Sequence, residues 1–203
     1  DLVKHPNAGG VLVLSLGCEN NTITSFKELL GPVDEERIKF LVCQESENEL
    51  EDGKKLLTQI AKAMEEDKRV AVPMSRLRVG FKCGGSDGFS GITANPLVGR
   101  FCDELTSMGG TAILTEVPEM FGAEQMLMNR AVSKEVFEQI VDLINNFKNY
   151  FTSHNQVVYE NPSPGNKAGG ISTLEDKSLG CVQKGGRVLV SAVVKYADRV
   201  TST

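Results

Sequence analysis

The residues best suited to chemistry lie in one glycine-rich stretch, residues 80–91, where five glycines surround a lysine, a thiol, a carboxylate and two hydroxyls. Glycine takes positive φ cheaply, but each one costs conformational entropy on folding, so such a run needs a reason. Flexible linkers are rich in Gly and Ser without these interleaved groups, so the pattern favours ligand binding over a linker. We expect catalytic roles for Lys82 and Asp87, and substrate contacts from Gly84, Gly85, Ser86, Ser90 and Asn95.

A second irregular stretch, residues 161–170, combines two prolines and three glycines and is not expected to form regular structure. Its substrate-binding candidates are Asn161, Ser163 and Asn166, and Lys167 could bind a carboxylate or act as a base if desolvated. His5 is a weaker catalytic candidate. The alternative for each of these residues is an exposed, inert side chain.

Three of the five cysteines lie beside glycine, namely Cys18, Cys83 and Cys181. Structural cysteines usually lie within apolar runs, whereas thiolate ligands need backbone that can wrap an ion or a cluster. The placement makes iron a candidate cofactor, as Fe²⁺ or an iron–sulfur cluster, with Glu116 as a carboxylate ligand. Coincidence remains the alternative because glycine is abundant here, and zinc-ribbon spacing is absent.

Hydrophobic periodicity predicts alternating strands and helices, with polar residues after the strands, where ligands gather in open α/β sheets. Glu116 and Glu119 follow one such strand and are candidate acid–base groups or metal ligands. We predict an α/β fold with a three-layer, mostly parallel Rossmann-like sheet and helices on both faces. The predicted strands are 11–16, 37–42, 69–72, 76–79, 111–115 and 187–194, and the main predicted helices are 23–30, 50–64, 96–108 and 133–153, with another from 173.

Length and composition indicate one globular α/β domain over residues 1–203, with a subdivision near residues 73–80. The net charge of −5 with scattered basic residues argues against nucleic acid as a partner. The sequence contains neither an apolar run of membrane-spanning length nor a signal-peptide pattern, so we expect a cytoplasmic protein. Because the chain begins at Asp1, we expect it to be part of a longer polypeptide.

Several of these motifs, in the same order, resemble the C-terminal region of the altronate and galactarate dehydratases, a family related to the large subunit of sulfolactate sulfo-lyase. The resemblance covers essentially the whole chain. The motifs that carry it are His5-Pro6-Asn7, Gly17-Cys18-Glu19, residues 82–96, residues 110–124, residues 161–170 and Lys177-Ser178-Leu179-Gly180-Cys181.

The resemblance implies iron-dependent elimination of water from a sugar acid, giving a 2-keto-3-deoxy acid. The preferred substrate is altronate, and the alternatives are galactarate, sulfolactate with sulfite as the leaving group, or a non-catalytic carbohydrate-binding module. The general base is left open among Lys82, Asp87, Lys167 and His5. The family also implies a partner in the same polypeptide, an N-terminal domain absent from this chain, and self-association is left open.

Overall fold

The computed structural model describes residues 2–200 and divides into two compact units, the first ending at Ala71 and the second beginning at Val72. Each unit contains one two-stranded parallel sheet. The predicted α/β class and the parallel pairing are therefore confirmed. In the part of the chain that the structure describes, however, the four strands form two separate sheets and not one three-layer sheet.

The sheets stay small because two segments predicted to extend them do not form strands. Residues 69–72 are irregular before Pro73, and both Val70 and Val72 are exposed. Residues 187–194 contribute a single bridge, between Val190 and Ala131. Each sheet therefore consists of one strand–helix–strand unit, the minimum that joins two parallel strands.

In the first unit, the two strands pair in register from Val11 opposite Ile38 to Ser15 opposite Val42. The continuous apolar run of residues 11–16 is typical of a central strand covered on both faces, but this strand has one neighbour and Leu14 is 62% exposed. The elements of this unit are β1 (Val11–Ser15), α1 (Ile23–Leu30), β2 (Ile38–Val42) and α2 (Glu49–Ala63).

Arg37 joins the start of β2 to the segment after α2. Its guanidinium donates two hydrogen bonds of 2.7 Å to the carboxylate of Asp67, and also donates to the carbonyl oxygens of Gly9 and Ala63. Such a planar fork suits bidentate carboxylate pairing. The pKa of Asp67 is lowered, chiefly by these hydrogen bonds from Arg37.

In the second unit, helix α3 connects strands β3 and β4, which pair from Arg78 opposite Thr111 to Phe81 opposite Leu114. The elements are β3 (Arg78–Phe81), α3 (Ala94–Ser107), β4 (Thr111–Leu114), α4 (Glu124–Met128), α5 (Lys134–Ser153), α6 (Pro164–Ala168) and α7 (Leu174–Val182). Across residues 2–200, no helix combines the length and apolarity needed to cross a membrane.

The main core of the second unit lies where α5 packs against α4 and the turn before it. The apolar face of α5 contributes Val136, Ile140 and Ile144, at the helical spacing that the sequence indicates. Phe121, only 1% exposed, contacts the rings of Phe147 and Phe151 edge-on. The other buried members of this core are Met120, Ala123, Leu127 and Val182.

The expectation that residues 161–170 contain no regular structure is wrong, because Pro164–Ala168 form the short helix α6. Ser163 caps it, since its hydroxyl accepts from the N–H of Asn166 while the Asn166 side chain accepts from the N–H of Ser163. Pro164 occupies the first turn, where its missing N–H costs nothing. The residues that suggested a loop are thus the signals that begin a helix.

Helix α3 lies against the turn that follows α7, and the contact depends on Gly99. A Cβ atom at this position would lie 2.2 Å from the carbonyl oxygen of Gln183. Gly53, inside α2, is also buried, but the nearest atom to a Cβ there is Leu41 Cδ2, at 3.8 Å. The two helical glycines therefore differ in whether the fold has room for a methyl group.

We expect Gly99→Ala to lower the free energy of unfolding by about 3 kcal/mol, because the backbone of Gln183 has to move. Gly53→Ala is the matched control and should raise it by about 0.5–1 kcal/mol, since alanine is the better helix former. Urea denaturation followed by circular dichroism measures both. Equal effects of the two substitutions would contradict the close packing of α3.

Candidate functional site

A large cavity of about 610 Å³ opens in the second unit. This volume is within the range of about 300–1,000 Å³ that is typical of small-molecule sites. Its lining side chains are polar, and the remaining residues are glycines; they come from the glycine-rich loop after β3, from the turn after β4 that carries Glu119, from the segment around α6, and from α7. The lining residues are Gly84, Gly85, Ser86, Asp87, Glu119, Asn161, Ser163, Gly165, Asn166, Gly169 and Lys177.

The two loops predicted from sequence to bind a ligand are hydrogen-bonded to each other. The N–H of Gly88 donates to the carbonyl oxygen of Gly169 at 2.8 Å. The side-chain amide of Asn166 donates to the carbonyl oxygen of Ser86 at 2.9 Å, and both of these residues are buried. The walls of the large cavity are therefore fixed relative to each other by direct contacts.

Lys177 lies at the centre of this arrangement, with only 5% of its side chain exposed. Its ammonium group donates to Oδ1 of Asn161 at 3.1 Å and to Oδ1 of Asn166 at 2.9 Å. It also lies 3.2 Å from Oε1 of Glu119. An ammonium group has three N–H donors, so these three oxygens satisfy it fully. A buried charge with such partners is stable, whereas an unpaired one costs several kcal/mol.

Helix α7 presents two functional side chains to the same carboxylate. Lys177 and Cys181 are four residues apart and therefore lie on one face of the helix. Glu119 Oε1 pairs with Lys177, and Glu119 Oε2 accepts from the thiol of Cys181 at 3.4 Å. The carboxylate of Glu119 is thereby held at both oxygens.

A second, narrow cavity of about 10 Å³ lies beside Glu119, with room for about one water molecule. Glu116 adopts a left-handed conformation with φ of 61° at the end of β4, and its Oε2 accepts from the N–H of Cys83 at 2.6 Å. The residues lining the narrow cavity are Phe81, Lys82, Cys83, Leu114, Thr115, Glu116, Glu119, Met120, Cys181, Val182 and Lys184.

Both thiols in the narrow cavity favour the protonated form. Burial raises the pKa of Cys181 to about 11, an effect larger than the opposing one of the nearby Lys184. Burial also raises the pKa of Cys83, and the charges of Glu119 and Glu116 add to this shift. Neither side chain is a thiolate at neutral pH as the site stands.

Eight of the predicted site residues line the large cavity. Seven of them come from the two predicted loops, although residues 86 and 166 are 80 positions apart. The eight are Gly84, Gly85, Ser86, Asp87, Glu119, Asn161, Ser163 and Asn166.

The other predicted residues of the second unit lie outside the lining of the large cavity. Ser90 donates from its hydroxyl to Oδ1 of Asp87 and so closes the glycine-rich loop. Asn95 is buried within α3, beside Gly180. Lys82 is an exposed partner of Glu116 at 3.7 Å in the narrow cavity. Lys167 is exposed on α6.

The remaining predicted residues, His5 and Cys18, belong to the first unit, and both are exposed. His5 Nδ1 accepts from the N–H of Asn7 at 3.2 Å. Next to Cys18, the carboxylate of Glu19 accepts from the hydroxyl of Ser15 and from two backbone N–H groups. The Ser15 hydrogen bond is the main reason why the pKa of Glu19 falls to about 2. Glu19 therefore stabilises the turn after β1.

The narrow cavity contains three of the predicted iron ligands, namely Cys83, Glu116 and Cys181. Cys83, Glu116, Glu119 and Cys181 supply suitable donor types. Within residues 2–200, however, no three His, Cys, Asp or Glu side chains come together as a metal-binding group. Glu119 is also already paired with Lys177. A metal held jointly by Cys18, Cys83 and Cys181 stays a prediction.

Lys177 is the residue that reasoning from sequence missed. It is in the middle of a charged, capped helix, where a lysine is normally exposed. The signal that could have revealed it is the small residues that follow it, because Ser178, Gly180 and Cys181 are buried together with Lys177. Small residues on a helix let neighbouring elements pack closely, and here they mark the buried part of α7.

An α/β unit with a polar cavity between two glycine-rich loops defines a small-molecule-binding protein, and comparison with known proteins identifies its family. Residues 74–203 match the family model described as D-galactarate/Altronate dehydratase, C-terminal. Residues 1–65 match the model described as D-galactarate dehydratase/Altronate hydrolase, second domain. The chain therefore belongs to the D-galactarate/altronate dehydratase family.

Individual relatives agree with this assignment. The chain is 63% identical to altronate dehydratase of Bacillus subtilis (strain 168), over 97% of this chain and 39% of the relative. It is 55% identical to altronate dehydratase of Escherichia coli (strain K12), over 98% and 40%. It is 34% identical to the L-threo-forming galactarate dehydratase of the same organism, over 97% and 39%. The chain thus spans about two fifths of the length of these relatives.

The burial of the thiols predicts their order of alkylation by iodoacetamide. We expect Cys18, which is exposed, to react first under native conditions, and Cys102 and Cys181, which are buried, to react only after unfolding in urea. Peptide mass spectrometry after timed quenching measures each rate. Modification of Cys181 as fast as Cys18 in the folded protein would contradict the described packing of α7.

Proposed function

We propose that the protein containing this chain is a hydro-lyase that removes water from a sugar acid to give a 2-keto-3-deoxy acid, with altronate as the preferred substrate. The identities of 63% and 55% to two altronate dehydratases, against 34% to a galactarate dehydratase, support this choice of substrate.

One observation carries the proposal most directly, namely the polar lining of the large cavity. A sugar acid presents hydroxyl and carboxylate oxygens, which need hydrogen-bond donors and acceptors along their whole length. The amides of Asn161 and Asn166, the hydroxyl of Ser163 and the carboxylate of Asp87 supply both kinds of group. An apolar pocket of the same volume would not suit such a molecule.

We infer that Asp87 is the general base of the reaction. Two candidate acid–base residues line the large cavity, Asp87 and Glu119, and Glu119 is already paired with Lys177. Asp87 Oδ1 accepts from the N–H of Phe89, the N–H of Ser90 and the hydroxyl of Ser90, so the carboxylate is held in place. A fixed carboxylate that reaches the ligand is the arrangement that proton abstraction requires.

The proposed reaction is the elimination of one water molecule from the sugar acid. Asp87 takes the proton from the carbon next to the substrate carboxylate, and the electrons of that C–H bond form a C=C bond as the β-hydroxyl departs with a proton as water. The enol so formed becomes the ketone by proton transfer, which gives the 2-keto-3-deoxy acid. Donors in the cavity stabilise the negative charge that develops on the carboxylate oxygens.

Iron, as Fe²⁺ or a cluster, stays a prediction from the family resemblance. The proton abstraction by Asp87 and the loss of water are described without it. Metal analysis of the full-length protein, purified without oxygen, measures it directly. We expect iron to be present and to be lost in Cys181→Ser if this thiol is a ligand. Iron retained in full by Cys18→Ser, Cys83→Ser and Cys181→Ser would contradict the predicted ligands.

The relatives are longer than this chain, so we propose that activity belongs to a full-length protein with a further domain in the same polypeptide. We propose a cytoplasmic location for this protein. Its assay therefore uses the full-length protein, anaerobic and supplied with Fe²⁺, with altronate, galactarate and sulfolactate as substrates.

We expect Asp87→Asn in the full-length protein to lower kcat for altronate at least about a hundredfold, with a smaller change in KM. Asparagine keeps the oxygen that accepts from Phe89 and Ser90, so the loop should stay intact. Asp142→Asn, on the exposed face of α5, is the matched control and should leave kcat unchanged. Formation of the 2-keto-3-deoxy acid is the measurement.

The outcomes separate the alternatives. Wild-type protein that acts on galactarate or sulfolactate but not on altronate would overturn the preferred substrate. Binding of sugar acids without turnover of any of them would support the carbohydrate-binding alternative. Full activity of Asp87→Asn would remove Asp87 as the base while leaving the proposed reaction in place.

A further inference from the structure

The glycine-rich loop leaves three consecutive backbone N–H groups without an intramolecular acceptor. Among the hydrogen bonds of the described residues, none uses the N–H of Gly84, Gly85 or Ser86, whereas the neighbouring N–H groups of Cys83 and Asp87 are both bonded. All three residues line the large cavity. Successive free N–H groups in a loop are a recurrent binding feature for anions.

Nothing in the fold itself explains the two glycines of this loop. A Cβ atom at Gly84 or at Gly85 would meet no protein atom within 4 Å, and neither residue has the left-handed φ that favours glycine. Glycine nevertheless costs conformational entropy on folding. Close approach of a ligand to the backbone is the remaining physical reason for these residues.

Asn161 supplies a further donor at the cavity wall. Its Oδ1 accepts from Lys177, and this contact fixes the orientation of the amide, because the reversed amide would point N–H groups at an ammonium. Its Nδ2 is buried and has no partner among the described residues. A buried amide donor without an acceptor is unfavourable, and a ligand oxygen hydrogen-bonded to it would remove that penalty.

The charges near the cavity agree with an acceptor that is negative. Lys177 is a buried cation in the cavity lining that is joined to these donors through Asn161 and through Asn166, which contacts Ser86. Its three N–H groups are already used, so Lys177 holds other groups in place and is not free to bind a ligand itself. Of the two carboxylates in the lining, Glu119 is paired with this lysine, and Asp87 accepts three hydrogen bonds at Oδ1.

We propose that the carboxylate of the sugar acid binds to the N–H groups of Gly84, Gly85 and Ser86 together with Nδ2 of Asn161, and that Lys177 is the positioning residue of this subsite. The inference rests on the proposed function, because the substrate is taken to be a sugar acid. The inference adds that the carboxylate end of the substrate contacts the glycine-rich loop and Asn161. The carboxylate then lies beside Asp87, as abstraction of the adjacent proton requires.

The first test is Gly85→Ala in the full-length protein. Because a methyl group here meets no protein atom, we expect stability to be unchanged or slightly raised, while KM for altronate rises about tenfold or more. Gly53→Ala is the matched control, a second glycine with room for a methyl group, and should leave KM unchanged. An unchanged KM in Gly85→Ala would overturn the subsite.

The second test is Asn161→Asp. Aspartate keeps the oxygen that accepts from Lys177 and replaces only the unpartnered Nδ2 by an oxygen, so the protein should fold. We expect KM for altronate to rise about tenfold to hundredfold, the range for a lost hydrogen bond to a charged group. Asn145→Asp, an exposed position on α5, is the control for the added charge. Equal KM in Asn161→Asp and wild type would overturn the role of Asn161.

Calorimetry with altronate and with altritol, the alditol that lacks the carboxylate, separates this inference from the proposed function. We expect wild-type protein to bind altronate at least about tenfold more tightly, with Gly85→Ala and Asn161→Asp abolishing that preference. Equal affinity of wild type for the two ligands would overturn the carboxylate subsite even if dehydration proceeds. Preferential altronate binding without turnover would overturn only the proposed reaction.

Lys177→Arg and Lys177→Met test positioning. Arginine keeps the charge and the donors, so we expect it to retain most of the preference for altronate over altritol, whereas methionine should lose it. A lysine with a merely structural role would lower thermal stability in Lys177→Met but leave the preference of the folded fraction intact. That result would overturn the positioning role.

Discussion

The large cavity depends on one buried ammonium group. Lys177 joins Glu119, from the turn after β4, to Asn161 and Asn166, from the segment around α6. Removing a charge from water costs several kcal/mol, and only a complete set of acceptors offsets that cost. The three elements therefore have to converge on one point, and the cavity is the space left between them and the glycine-rich loop.

The two loops were the part of the site that could be predicted from sequence. Clusters of glycine, proline and short polar side chains disfavour long helices and strands, so a run of them indicates a candidate ligand-binding segment without knowledge of the fold. Asp87, Asn161 and Asn166 line the large cavity for this reason. Helical periodicity was equally informative for α5, whose buried face follows the predicted spacing.

Three-dimensional neighbours were harder to predict than local structure. The burial of Lys177 depends on the elements packed around α7, and the small residues of this helix indicate that packing only weakly. Likewise, residues 69–72 and 187–194 have the composition of strands but do not form them, because a strand also needs a neighbouring strand to pair with. The N-terminal cap of α6 is a local signal, since Ser163, Pro164 and Asn166 form it. The prolines and glycines of the same segment nevertheless favoured a loop in the sequence-based prediction.

Glu119 has one further consequence for how the site behaves, because its carboxylate borders both the large and the narrow cavity. Its two oxygens are divided between Lys177, beside the large cavity, and the Cys181 thiol, beside the narrow one. A ligand bound in the large cavity and a chemical change of the Cys181 thiol therefore both act on the carboxylate of Glu119. By thermodynamic linkage, the coupling free energy between ligand binding and the state of the Cys181 thiol is the same in both directions. A ligand that changes the properties of Cys181 therefore binds more tightly or more weakly when that thiol is modified.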